Sequence, residues 1–259
     1  MFKKKKMKNI LILAPHPDDE SVGLSVFIKR KKEEGCKITI FFLTNGVISK
    51  NEMWFWERNK YEKFLQKRLN EMKNSLKFFK IKDYFLQNIP SRNLHSNILK
   101  TFSVIQNIIG KKPIDSIFVP AYEGGHQDHD VANFIASKFK KKINVFEYSE
   151  YHNYGDKVHS NSFINNTGNE TVLEFDQNEA LYKKHALSIY NSEKKNLNYI
   201  DIKREVYRPI FRYNYDSVPH KGKLFYKRFG FFSWHPRVDS SDPKEVCKII
   251  SKFKNLDEI

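Results

Sequence analysis

Two apolar rhythms alternate along the chain. Asn9–Ala14 is a short, nearly unbroken apolar run, the pattern of a strand buried on both faces. A helix is predicted from about Glu20 to Glu34, with Leu24, Phe27 and Ile28 on one face and Gly35 stopping it. Lys37–Thr44 repeats the buried-strand pattern and closes on Asn45-Gly46. From about Arg58 to Phe79, the apolar stripe Tyr61, Leu65, Leu69, Met72, Leu76 and Phe79 keeps helical spacing. Asp83–Leu86 reads as a short strand, and Ile98, Phe102, Ile105 and Ile109 mark another helix. Ser116–Val119 is a strand, Asp128–Phe139 a helix and Ile143–Tyr148 a strand again. This order predicts an α/β fold with a mostly parallel sheet and helices on both faces.

Beyond Glu150 the rhythm weakens. Asn153–Thr171 is polar and reads as loop or hairpin. Asp176–Tyr190 is helical, with Asp176 placed to cap it. Arg204–Arg237 carries ten aromatics and eight Lys or Arg against only Glu205 and Asp216. Asp242-Pro243 opens a last helix that buries Val246, Ile249, Ile250 and Phe253.

The chain has 259 residues, 40% of them hydrophobic, which suits one large α/β domain and argues against a disordered chain. We expect a single domain, with a core over about 8–192 and an irregular, basic, aromatic C-terminal extension over about 193–259 packed on it. Lys and Arg number 46 and Asp and Glu 30, so the formal net charge is +16. That surplus suggests an anionic partner. Cys36 and Cys247 are the only cysteines, too few for a disulfide framework or a Cys-rich zinc motif. Lys3–Lys6 resembles the basic region of an export signal, but Ile10–Ala14 behind it is shorter than the ~7–15 apolar residues such a signal needs. No apolar run approaches the ~20 residues of a membrane span. The expectation is a cytoplasmic protein without a transmembrane segment, for which peripheral membrane contact stays open.

Candidate chemistry concentrates in two short segments. His16-Pro17-Asp18-Asp19-Glu20 follows the first buried strand and opens the first helix. Gly124-Gly125-His126-Gln127-Asp128-His129-Asp130 follows another buried strand and also opens a helix. In open parallel sheets, ligands bind outside the carboxyl ends of the strands. Helix capping explains one or two of these acids, but not the histidines beside them. Imidazole and carboxylate without thiolate suit Zn²⁺ held by three protein ligands with an open position. Fe²⁺ or Mn²⁺ suits similar ligands. Carboxylate and imidazole remain for proton transfer, which is hydrolytic machinery.

With both motifs in view, the sequence resembles the PIG-L/LmbE-like family of zinc-dependent N-deacetylases. Thr44-Asn45-Gly46, Arg68-Leu69-Asn70-Glu71 and Lys183 through Tyr190-Asn191-Ser192 extend the resemblance over roughly residues 8 to 192. The resemblance implies a Rossmann-like fold, one Zn²⁺ per chain, and removal of the acetyl group from an N-acetylglucosamine-type sugar or glycoconjugate. It implies His16, Asp19 and His129 as metal ligands and Asp18 as the general base. It implies protonated His126 as the group that stabilises the oxyanion or donates a proton, with Asp128 orienting that imidazole. Arg68 resembles a substrate-contacting arginine; the bland alternative is an arginine snorkelling at the edge of the core. Some members carry a tyrosine just before the second motif, where this chain has Gly124 and Gly125, with Tyr122 further back.

Other elements stay open at this level. Trp54, Phe55 and Trp56 can stack on a sugar, form a lid or meet a partner. The basic tail can hold a phosphate or acidic sugar carried by the substrate, or simply wrap the core. Competing classes are another metal-dependent hydrolase, for a different amide, an ester or a phosphoester, on the same loops, and a nucleic-acid-binding protein. No nucleic-acid signature is present, so no nucleic acid is expected.

Overall fold

The computed structural model describes residues 7–232, 234–236 and 238–256; Lys3–Lys6 and Arg237 lie outside them. The first half alternates strictly: β1 (Asn9–Ala14), α1 (Asp19–Gly23), α2 (Ser25–Glu33), β2 (Lys37–Phe42), α3 (Tyr61–Phe78), β3 (Tyr84–Leu86), α4 (Ile98–Lys111), β4 (Ser116–Pro120), α5 (Gln127–Ser137) and β5 (Asn144–Tyr148). A small hairpin of β6 (Tyr151–His152) and β7 (His159–Ser160) follows. Then come β8 (Thr171–Glu174), α6 (Gln177–Ile189), β9 (Arg204–Pro209) and α7 (Pro243–Ser251).

The main sheet has seven strands in the order β3-β2-β1-β4-β5-β9-β8. The first five are parallel, while β9 pairs antiparallel with both β5 and β8. The apolar run of β1 has a direct cause. Ile10, Ile12 and Ala14 face one core, with Phe27, Met72 and Leu76, whereas Leu11 and Leu13 face the other, with Ile105, Val131 and Ile135. Both faces are covered, so every position of β1 after Asn9 at its start is apolar. No helix among the described residues is long and apolar enough to cross a membrane.

Two expectations need correcting. The first helix is not continuous: it breaks at Leu24, whose φ of −138° ends α1 before α2 begins. A long-range pair compensates for the break. The Glu205 carboxylate on β9 accepts the backbone N–H groups of Val26 and Phe27 and the Ser25 hydroxyl, at 2.8 to 3.1 Å. The Lys183 ammonium on α6 donates to the carbonyl of Val22, at 2.7 Å, and to Glu205, at 3.1 Å. Both sides of the opened helix are thus satisfied. The second correction concerns Arg204–Pro209. It is a strand of the central sheet rather than an irregular stretch, and its Arg208 forms a buried ion pair with Glu147 on β5 at 2.7 Å.

Candidate active site

β1 and β4 are sheet neighbours, although β2 and β3 intervene in sequence. The strand order reverses between them, which opens a crevice at their carboxyl ends. The loops that follow β1 and β4 carry the two His/Asp motifs, so the topology alone brings them together. The Thr44 hydroxyl and backbone N–H both bind the carbonyl of Pro15, at 2.7 and 2.9 Å, and so tie the first loop to the end of β2. Gly46 (φ +73°) completes this turn; a Cβ there would sit 2.8 Å from Pro17. Asp18 has φ 141° and ψ −25°, an unusual backbone conformation for a non-glycine residue. Strain of this kind is kept where the surroundings over-determine it, often at functional sites.

His16, Asp19 and His129 converge, each offering one ligand atom within 4.8 Å of the others. His129 Nε2 lies 3.2 Å from Asp19 Oδ1, and His16 Nδ1 lies 3.5 Å from Asp19 Oδ2. All three residues are buried. His129 Nε2 has no hydrogen-bond partner despite its closeness to Asp19. An imidazole nitrogen left over beside a carboxylate and a second imidazole is the donor set of a divalent-metal site. Asp18, Asp19, Glu20, Asp128 and Glu150 are all buried here. Of the permanent protein cations, Arg68 contacts one of them, Asp18. A metal ion fits both the donors and the charge.

Asp128 does not take the place expected of it. Its carboxylate accepts from His16 Nε2 at 3.0 Å and from the backbone N–H groups of Arg92 and Leu94 at 2.6 and 3.1 Å. Its approach to His126 Nδ1 is 3.7 Å, too long for a hydrogen bond. His126 Nδ1 instead accepts the backbone N–H of Asp128 at 3.0 Å. The imidazole that the Asp128 carboxylate orients is therefore His16. His126 is held as a neutral ring with its proton on Nε2. Burial, then repulsion from His16, pushes His126 down to about 3, which fits a neutral ring rather than the protonated one expected. Burial alone would also lower His16, but Asp19 and Asp128 outweigh it and hold that imidazole up at about 10. Burial raises Asp18 well above the usual carboxylate range, against the pull of Arg68.

Arg68 is 5% exposed. It donates to the Pro17 carbonyl at 2.9 Å and to Asp18 Oδ2 at 3.1 Å, and it pairs with Glu193. Snorkelling does not describe it. Tyr122 donates to the carbonyl of Ser217 at 2.8 Å.

Two further residues of the site carry no motif of their own. Glu150, just past β5, is buried without a hydrogen bond, and its Oε2 lies 3.7 Å from His129 Nδ1. Arg92 supplies the backbone N–H to Asp128 and sends its side chain to the carbonyl of Pro236 at 2.9 Å. Both come from loops whose positions only the folded sheet determines.

A family model described as PIG-L, GlcNAc-PI de-N-acetylase, matches residues 11–140. No curated protein matches the chain in sequence. Among solved structures, a deacetylase in the biosynthesis pathway of teicoplanin is 14% identical, covering 81% of this chain and 100% of its own at a TM-score of 0.63. The zinc-inhibited form of teicoplanin deacetylase Orf2 is 14% identical, covering 81% of this chain and 100% of its own at a TM-score of 0.62. The A40926 pseudoaglycone deacetylase Dbv21 is 16% identical, covering 81% of this chain and 99% of its own at a TM-score of 0.63. At these identities the likeness is one of fold.

Proposed function

The chain belongs to the PIG-L family of GlcNAc-PI de-N-acetylases, and from that premise we propose that it removes the N-acetyl group from an N-acetylglucosamine-type sugar or glycoconjugate. The observation that carries this reading is the convergence of His16, Asp19 and His129, with Asp18 beside them at the mouth of the β1/β4 crevice. We assign His16, Asp19 and His129 to one Zn²⁺ per chain; Fe²⁺ or Mn²⁺ suits the same donors. Zinc supplies Lewis acidity toward an amide carbonyl and acidifies water.

The chain's own groups do the rest. Asp18 is the general base and takes the proton of the attacking water on its carboxylate. Arg68 holds that carboxylate in place through the 3.1 Å contact to Oδ2. Arg68 also touches the substrate in this reading, once Glu193 gives way. His126 donates from Nε2 to the carbonyl oxygen as negative charge develops there, the interaction usually worth most in acyl transfer. It does so as a neutral donor fixed by the Asp128 N–H on its other nitrogen. The Asp128 carboxylate orients His16, the arrangement by which carboxylates fix ligating imidazoles. The leaving amine takes its proton from Asp18, which gained it from the attacking water; a neutral His126 would have to become an imidazolate to supply one.

The whole chain is read as one catalytic domain. The basic C-terminal region points to a phosphate or other anionic group on the substrate's conjugate. Cys36 and Cys247 are buried and form no disulfide, which suits a reducing compartment, and we place the protein in the cytoplasm. Metal analysis paired with an acetate-release assay across N-acetylhexosamine conjugates tests the function. About one zinc per chain with matched release of acetate and amine is expected. A metal-loaded protein that deacetylates none of them contradicts the reading.

A further inference from the structure

Two segments far apart in sequence form one exposed aromatic face. On the first, Phe55 is 75% and Trp56 52% exposed. On the second, Phe229 is 53%, Phe231 90%, Phe232 49% and Trp234 65% exposed. Trp54 joins them: it stacks on Trp56 with ring centroids 4.8 Å apart and lies 6.0 Å from Trp234. Soluble surfaces rarely gather so many large rings without a partner to cover them.

The chemistry around this face narrows the partner. Between Asp216 and Asp239 the chain carries no acidic residue, but it carries Lys221, Lys223, Lys227 and Arg228 among the described positions. Lys221 and Lys223 are exposed. Arg228 lies over Phe225 and Phe229, with its guanidinium carbon 3.5 and 4.6 Å from the ring centroids. Arg58 and Lys60 are exposed close behind the first segment. A stable protein–protein interface depletes lysine at its core. Trp and Phe rimmed by Lys and Arg are instead the composition of a surface that inserts rings at the headgroup boundary and meets anionic lipid with its cations. The chain's +16 charge has the sign such a surface requires.

The face also has a physical link to the cleft. Arg92 binds Asp128 through its backbone N–H, the second segment through the carbonyl of Pro236, and Glu52 of the first segment at 3.8 Å.

We propose that the aromatic face of residues 54–56, 229–232 and 234 docks the protein on an anionic bilayer surface. The proposal stands apart from the reaction, since vesicle binding is read without turnover. The test is co-sedimentation of the full chain with phosphatidylcholine vesicles, with and without phosphatidylserine. Binding is expected to the anionic vesicles, with loss at high salt. The double variant Phe55→Ser/Phe231→Ser is expected to bind them at least about ten-fold more weakly, with melting temperature and acetate release from a soluble sugar unchanged. Variant and parent sedimenting alike would overturn the proposal. So would a concentration-dependent dimer that the double variant abolishes while neither protein binds vesicles, because the face would then join two copies of this chain.

Discussion

The β1/β4 cleft and the β5–β9 seam both bury charge, and they balance it differently. In the seam the carboxylates meet cations: Glu147 meets Arg208 at 2.7 Å, Arg208 also meets Glu170 at 3.0 Å, and Glu205 meets Lys183 at 3.1 Å. Each carboxylate there also accepts hydrogen bonds from neighbouring polar groups. In the cleft, Asp18, Asp19, Glu20, Asp128 and Glu150 are buried, and among the described residues Arg68 is the one permanent cation in ion-pair contact with them. Burying a carboxylate without a counter-charge is costly. A surplus of carboxylate beside imidazole nitrogens therefore marks a place for a metal ion, whereas carboxylates paired with cations mark scaffold. The difference lies in the count of partners, not in the residue types.

Substitutions on the two sides should fail in different ways. The largest effect is expected from His129→Ala, which should abolish metal binding and turnover together while the fold persists; full zinc occupancy by metal analysis would overturn the ligand set. Asp18→Asn should keep its metal but lose about 10²–10⁴-fold in kcat. Turnover at the parent rate would remove Asp18 as the base. On the scaffold side, Lys183→Met leaves Glu205 buried with no counter-ion and should cost about 3–5 kcal/mol of stability, measured by denaturant unfolding. A loss below the noise of that measurement would show the helix break to be satisfied in some other way. Asp128→Asn should weaken metal affinity by about 10–100-fold through His16; unchanged affinity would return Asp128 to His126.

A pH-dependent effect is expected at Glu123, whose carboxyl burial raises from 4.5 to about 8. The folded state then binds a proton that the unfolded state has released, so its contribution to stability is present below pH 4.5 and lost as pH rises through 8. Glu123→Gln should remove that decline from the difference between parent and variant melting curves.

The parallel half and both motif loops were legible because their signals are local. A strand covered on both faces must be apolar throughout, as β1 is, and a ligand loop must follow its strand directly. The break at Leu24 was not legible, because Lys183 satisfies it from 161 positions along the chain and Glu205 from 178 or more, each on a different element. Nor was β9: Arg204, Glu205 and Arg208 read as part of a basic tail that holds an anionic group or wraps the core, yet Glu205 and Arg208 are buried against specific partners. Asp128 is expected on His126, two positions before it in sequence, but the sheet brings the carboxylate onto His16, 112 positions away. Glu150 and Arg92 have no motif of their own, and only the closed cleft gives them a place.

The most direct test of the account follows acetate release from an N-acetylglucosamine conjugate through chelation and metal return. Chelated enzyme should lose release, and added Zn²⁺ should restore it in the parent chain but not in Asp18→Asn. Undiminished release from protein shown by metal analysis to be metal-free would contradict it.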